Sequence, residues 1–278
     1  MSIVQRLVSF VRTACENRAV PSVARLYRPN ENIPDRRDKK FGVLMLSDGS
    51  CGFFYAGFDD TKTALRTMDL KAFEGVDTIA LIGQCLSDEP LQRALGFGAL
   101  NAVSQHLWRS AGTKLDQATD PVGHLDVGNA AHVGMVGFFP PLVKRFAAAT
   151  TRLTVIEKDP DLLTRTGAFK MSADVAALAD CDRVLITGST LINHTLDDVL
   201  DQCSPKAQVA LIGPTASCLP DPLFERGINV IGSITVNDSV LLDELLTNGQ
   251  PWDAATRKYC LRSDAYPGSH SLLNQSCT

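Results

Sequence analysis

The chain has 278 residues, 45% of them hydrophobic and 21% charged, which gives a folded chain of about two domains and excludes a disordered or fibrous one. A formal net charge of −4 leaves no basic footprint for nucleic acid. The longest uncharged run, 127–143, is interrupted by Asn129, His132, glycines and prolines and does not read as a membrane span.

In chain order, Ile3, Leu7, Phe10, Val11 and Ala14 recur at helical spacing, while Arg6, Arg12 and Glu16 break any continuous apolar stretch. This pattern predicts an amphipathic helix rather than a signal peptide, and with it a cytoplasmic chain. The charged run "RRDKK" at 36–40 reads as a solvated loop. "KFGVLMLSDGSCGFFYAGF" predicts a hairpin with strands over 41–46 and 51–56 and Ser47-Asp48-Gly49-Ser50 at the turn. "DTIALIGQC" at 77–85 suits strand and helix alike. A long helix is predicted to start from an N-cap at Ser87, with Asp88 and Glu89 in its first turn and Pro90 tolerated there. Its buried side is Leu91, Leu95, Ala99, Ala102, Val103 and Leu107. Residues 111–131 read as a connection.

From 132 onward the rhythm changes. "HVGMVG" (132–137), "LTVIE" (153–157), "RVLIT" (183–187), "QVALIG" (208–213) and "INVIGSIT" (228–235) are short, nearly continuous apolar runs. Strands buried on both faces look like this, and they build parallel sheets. Helical segments between them supply right-handed crossovers. The fold class is therefore α/β: a smaller α+β domain over 1–110, a connection over 111–131, and a Rossmann-like doubly wound domain over 132–278.

In such a sheet ligands bind at the carboxyl ends of the strands, where strand order reverses. The first strand ends in "GMVGFFPP", where Gly134 and Gly137 permit a tight turn and close approach of an anionic group, and Pro140 or Pro141 suits the first turn of a helix. A dinucleotide fingerprint would be G-x-G-x-x-G; this is G-x-x-G followed by Phe138 and Phe139, which either stack on a planar ligand or join the core. Glu157 follows Gly137 by 20 residues, at the end of the second strand. It is either an acceptor for ribose hydroxyls or a solvated strand end.

"ITGSTLINHTLDDVL" (186–200) and "GPTASCLP" (213–220) end the next two strands. Each pairs glycine with hydroxyl residues, so Thr187, Ser189, Thr190 and Thr215 are expected to converge with the 134–140 loop on one crevice. This is a binding pattern rather than a catalytic one, since no Ser-His-Asp order, lysine nucleophile or carboxylate pair stands out. Asn193 caps or orients, and His194 reads as a helix-surface residue rather than an acid or base. The eight cysteines are scattered with no C-x-x-C pair, and the five histidines form no H-x-H or H-E-x-x-H spacing. The cysteines read as reduced thiols used as small hydrophobes, no zinc site is expected, and the sequence names no cofactor.

"HVGMVGFFPPLVKRF", "LTVIEKDP", "VLITGSTLINHTLDDVL", "IGPTASCLPDPLFERGINVIGS" and "LGFGALNAV" together resemble the putative heavy-metal chelation family, over most of the chain. The resemblance implies an enolase N-terminal-like domain followed by a Rossmann-like domain, with a site between them. It carries Gly134, Gly137, Phe138, Phe139, Pro140, Glu157, Thr187, Gly188, Ser189, Thr190, Asn193, Gly213, Pro214 and Thr215 into that site from the second domain. Asn101 matches in the first domain, and Asp48 is expected to close the crevice beside it. The implied partner is a heteroaromatic or nucleotide-like small molecule, held by a binding protein or enzyme that handles or makes an organic chelator. The alternative is a nucleotide-cofactor enzyme, a dehydrogenase or S-adenosylmethionine-dependent transferase; a metal-sensing or scaffold protein is a third reading. The missing third glycine and the lack of an obvious proton-transfer residue weigh against a dehydrogenase.

Overall fold

A computed structural model describes residues 1–31, 40–116, 120–147 and 151–274; the expected loop at 36–39 and Cys277 lie outside them. Helix α1 (Ile3–Ala14) follows a capping box in which Ser2 accepts from the Gln5 N–H and the Gln5 side chain accepts from Ser2. It buries Ile3, Val4, Leu7, Val8 and Val11. Strands β1 (Val23–Tyr27), β2 (Phe41–Leu46) and β3 (Cys51–Tyr55) form an antiparallel sheet in the order β1-β2-β3. The β2–β3 turn is the expected one: Gly49 has φ +82°, and Asp48 Oδ1 accepts from the Ser50 N–H at 2.9 Å.

Helix α2 (Asp59–Thr67) precedes α3 (Thr78–Ile82), which resolves the 77–85 ambiguity. Asp77 accepts from the N–H groups of Ile79 and Ala80, and that cap selects the helix. Helix α4 (Pro90–Ser110) starts later than a Ser87 cap would require. Pro90 forces the residue before it into extended backbone, so Glu89 is the boundary, and Ser87 instead accepts from the Glu89 N–H at 3.1 Å. Most of α4 is buried, on every side, including Asn101, Ser104 and Gln105. β3 lies directly on it, because a Cβ at Gly52 would fall 2.0 Å from the Gly98 carbonyl oxygen.

After α5 (Pro121–His124), the second half runs β4 (His132–Val136), α6 (Pro140–Ala147), β5 (Arg152–Ile156), α7 (Pro160–Leu163), β6 (Lys170–Ser172), β7 (Arg183–Thr187), α8 (Ser189–Ile192), α9 (Leu196–Asp201) and β8 (Gln208–Ile212). It closes with α10 (Asp221–Glu225), β9 (Val230–Val236), α11 (Ser239–Thr247), β10 (Thr256–Arg262) and α12 (Ser269–Asn274). The strand order is β10-β9-β8-β7-β4-β5-β6, parallel throughout except for β10 against β9. This is a doubly wound sheet whose order reverses between β4 and β7, with an added antiparallel edge.

One face of the sheet, including Val136, Ile156, Val184, Ile186 and Leu211, belongs to a core that runs without a break through α8, α9 and α10 to α1 and α4. The other face, including Met135, Val155, Leu185 and Ala210, packs with α5 and α6. The small sheet is also covered twice. Its Val43, Met45 and Phe53 pack with Ile234, Leu242 of α11 and Trp252, all supplied by the second half.

Candidate functional site

Three strand-end turns meet where the sheet reverses. Gly137 ends β4 at φ +88°, and a Cβ there would fall 3.1 Å from Thr187 Cγ2 at the end of β7. The turns that follow β7 and β8 also meet. The Gly188 N–H donates to the Ile212 carbonyl at 2.8 Å, and Gly213, at φ +120°, lies against the Gly188 backbone. A side chain at either turn glycine would need a backbone conformation that only glycine adopts readily.

The hydroxyls divide into two groups. Thr187 Oγ1 and Ser189 Oγ lie 3.1 Å apart and are half-buried, beside half-buried Gly137 and Gly213. Thr215 is buried, and its Oγ1 accepts from the Tyr55 N–H of β3 at 3.0 Å. Asn101 of α4 donates to the carbonyls of Phe53 at 2.8 Å and Thr215 at 2.9 Å. These bonds seat β3 of the first half on the turn that follows β8.

Glu157 turns back on its own loops. Its Oε2 accepts from the Phe138 N–H at 3.1 Å, while Oε1 accepts from Lys158 at 2.8 Å and Asp159 at 3.2 Å. The Phe138 ring is tilted against Phe169, with centroids 6.0 Å apart, and the Arg165 guanidinium sits 5.0 Å from its centroid. Phe139 is half-buried against the same core, and Pro140 opens α6.

Other expected residues serve elsewhere. Gly134 lies inside β4, where a Cβ would fall 2.6 Å from Leu178 Cδ2 and 3.0 Å from Cys181 Sγ, so it is a packing glycine. Thr190 is 2% exposed and donates to the Thr187 carbonyl at 2.7 Å. Asn193 Oδ1 accepts from the N–H and hydroxyl of Thr195, at 3.2 and 2.7 Å. Asp48 belongs to a network with Ser50, His106 and Arg109, further along α4 than Asn101. Burial pushes its carboxyl up, but hydrogen bonds from His106 and Ser50 outweigh that and hold it down to about 2.

His194 occupies a left-handed turn, φ +58°, and its Nε2 lies 2.8 Å from the Cys85 carbonyl oxygen in the first half. Burial lowers its pKa, which favours the neutral ring as donor to that oxygen. Sequence reading did not single out Tyr55 or Arg93. Arg93 donates to the Ile192 carbonyl at 2.8 Å as well as to Ser87 and Asp88. Neither residue sits in a motif, and the bond by which each joins the two halves depends on a partner distant in sequence.

Donors for a soft metal are poorly placed. Among the described residues no three His, Cys, Asp or Glu side chains come together as a metal site. Six of the seven described cysteines are buried. Burial pushes the thiols of Cys181 and Cys218 up to about 12 and those of Cys15 and Cys203 up to about 11, away from the thiolate that binds metal.

A family model described as putative heavy-metal chelation, DUF364, matches residues 120–263. An uncharacterized protein of Methanocaldococcus jannaschii is 30% identical over 174 residues, a stretch that covers 62% of this chain and 66% of that protein. Among solved structures, a DUF364-family protein of unknown function from Pyrococcus horikoshii matches with TM-score 0.68 and 19% identity, covering 94% of this chain and 99% of its own. A second, from Desulfitobacterium hafniense DCB-2, matches with TM-score 0.67 and 18% identity over 93% and 98% of the two chains. At that identity the likeness concerns the fold. No helix among the described residues is long and apolar enough to cross a membrane.

Proposed function

This chain belongs to the DUF364, putative heavy-metal chelation, family, and from that premise we propose that it binds a small organic molecule at the reversal of its sheet and meets metal only through that molecule. The observation that carries the reading is the convergence of the 137, 187–189 and 213–215 turns beneath β3, with Thr187 and Ser189 half-buried beside two positive-φ glycines. Such a place offers hydroxyl donors and close backbone approach without a charged nucleophile, which suits recognition of a heteroatom-bearing ring.

The described side chains do not fit an ion held directly, because all but one of the described thiols are buried and no donor set of three forms among the described residues. Chelation is then a property of the bound molecule. Mass spectrometry of small molecules and metals released from the purified protein tests this. An organic molecule near one per chain is expected, with metal present only alongside it, and Thr187→Val combined with Ser189→Ala should lower that content. Stoichiometric metal that survives dialysis against a chelator, with no organic molecule released, would overturn the reading.

A further inference from the structure

In a doubly wound fold, the phosphates of a nucleotide cofactor rest on the turn after the first strand, held by N–H groups of that turn and of the helix it opens. Here the turn runs from 137 to 141 and opens α6, and, Phe139 apart, the donors from 137 to 143 are occupied or missing. The Phe138 N–H donates to Glu157 Oε2 at 3.1 Å. Pro140 and Pro141 carry no N–H at all. The next two N–H groups, of Leu142 and Val143, both go to the Phe139 carbonyl, at 3.0 and 2.9 Å.

The carboxylate is itself fixed. Lys158 and Asp159 donate to Oε1, so swinging Glu157 away would break three hydrogen bonds. The Arg165 guanidinium sits over the Phe138 ring, 5.0 Å from its centroid. The chain thus places its own negative group on an N–H of the turn that a diphosphate would use.

We propose that Glu157 is a specificity-determining residue that closes this turn to phosphate. The ligand of the crevice is accordingly uncharged or cationic at the turn and carries no phosphate there; this last step rests on the function proposed above, whereas the exclusion does not. A nucleotide cofactor bound in the usual dinucleotide manner is incompatible with it.

The test adds inorganic pyrophosphate or ADP to the full chain, as wild type, Glu157→Ala and Glu157→Gln. Binding is read by titration calorimetry and by the Phe138 amide resonance of protein labelled at phenylalanine nitrogen. Wild type should give no saturable binding below millimolar concentrations. Either variant should bind at least about tenfold tighter, equivalent to roughly 1.4 kcal/mol, with the Phe138 resonance shifting on titration. The glutamine variant keeps an acceptor for the loop N–H groups, so it carries the test if the alanine variant does not fold. Micromolar ADP binding by wild type with a shift at Phe138, or folded variants that gain no affinity, would overturn the proposal. Because the probe is added phosphate, neither result depends on whether the purified protein releases an organic molecule.

Discussion

Asn101 and Thr215 are 114 residues apart in sequence, yet the Asn101 amide donates to the Thr215 carbonyl at 2.9 Å in a site where Asn101 is wholly buried. The same nitrogen donates to Phe53 at 2.8 Å, so one side chain ties α4, β3 and the turn after β8. Removing it strands two buried carbonyls. Asn101→Ala should cost about 2–3 kcal/mol, more than a routine surface change, because unmade buried hydrogen bonds cost more than made ones contribute. Urea unfolding checks this, and a cost below about 0.5 kcal/mol would mean that water or a shifted backbone replaces the amide.

A second tie responds to acid. His106 Nδ1 lies 2.8 Å from Asp48 Oδ2, and the Ser50 hydroxyl donates to the same oxygen at 2.9 Å, while Arg109 donates to the Asp48 carbonyl at 3.1 Å. The folded chain holds the Asp48 carboxyl at about 2, below its ordinary 3.8. A group depressed on folding contributes stability that is present above its unfolded pKa and lost as pH falls through the folded one. The contribution should therefore fade between pH 3.8 and about 2. Asp48→Asn should unfold at lower urea than wild type near neutrality and show a shallower decline over that acid window. Parallel pH profiles for the two proteins would remove Asp48 from the account.

The strands of the large sheet were legible because a strand buried on both faces must be apolar throughout, and five such runs fall on β4, β5, β7, β8 and β9. The strands that escaped were β1, β6 and β10. The last two are the edges of the sheet, where Lys170, Arg257 and Lys258 dilute the apolar signal. At the site, the turn glycines Gly137 and Gly213 could be read from sequence because their positive-φ requirement is local, whereas Gly188 has helical backbone and is restricted by its contact with Ala216. The use of Thr190 and Asn193 could not. A hydroxyl or amide at a strand end reads the same whether it meets a ligand, as proposed for Ser189, or its own turn, as Thr190 does.

That distinction can be measured. Thr190→Val removes a buried hydrogen bond to Thr187, and Asn193→Leu removes the acceptor for Thr195, so each should cost about 1 kcal/mol of stability. Neither should change the amount of organic molecule that copurifies with folded protein. Thr187→Val with Ser189→Ala should do the reverse, leaving stability nearly unaltered and lowering the ligand content. Equal ligand loss in all of these folded variants would make the whole 187–193 segment one binding wall.

The two halves complete each other's cores, which has a consequence for fragments. Phe53 of β3 packs edge-on against Trp252, with ring centroids 5.0 Å apart, and Trp252 is 1% exposed. At the other end of the small sheet's supporting helix, Trp108 meets Tyr259 of β10 at 5.8 Å. A fragment of residues 1–116 would uncover the Val43, Met45 and Phe53 face, and a fragment of residues 120–278 would uncover Ile234, Leu242 and Trp252. Each exposed face forfeits roughly 25 cal/mol per Å² of apolar burial, enough over several large side chains to exceed the margin by which a domain is stable. Expressed alone, 120–278 should show Trp252 fluorescence typical of solvent, since it holds no other tryptophan. Mixing it with 1–116 should shift the emission to shorter wavelength and restore cooperative unfolding. If 1–116 alone unfolds cooperatively with native-like amide protection, the first half has a self-sufficient core and the contact with Trp252 is an interface between independent domains.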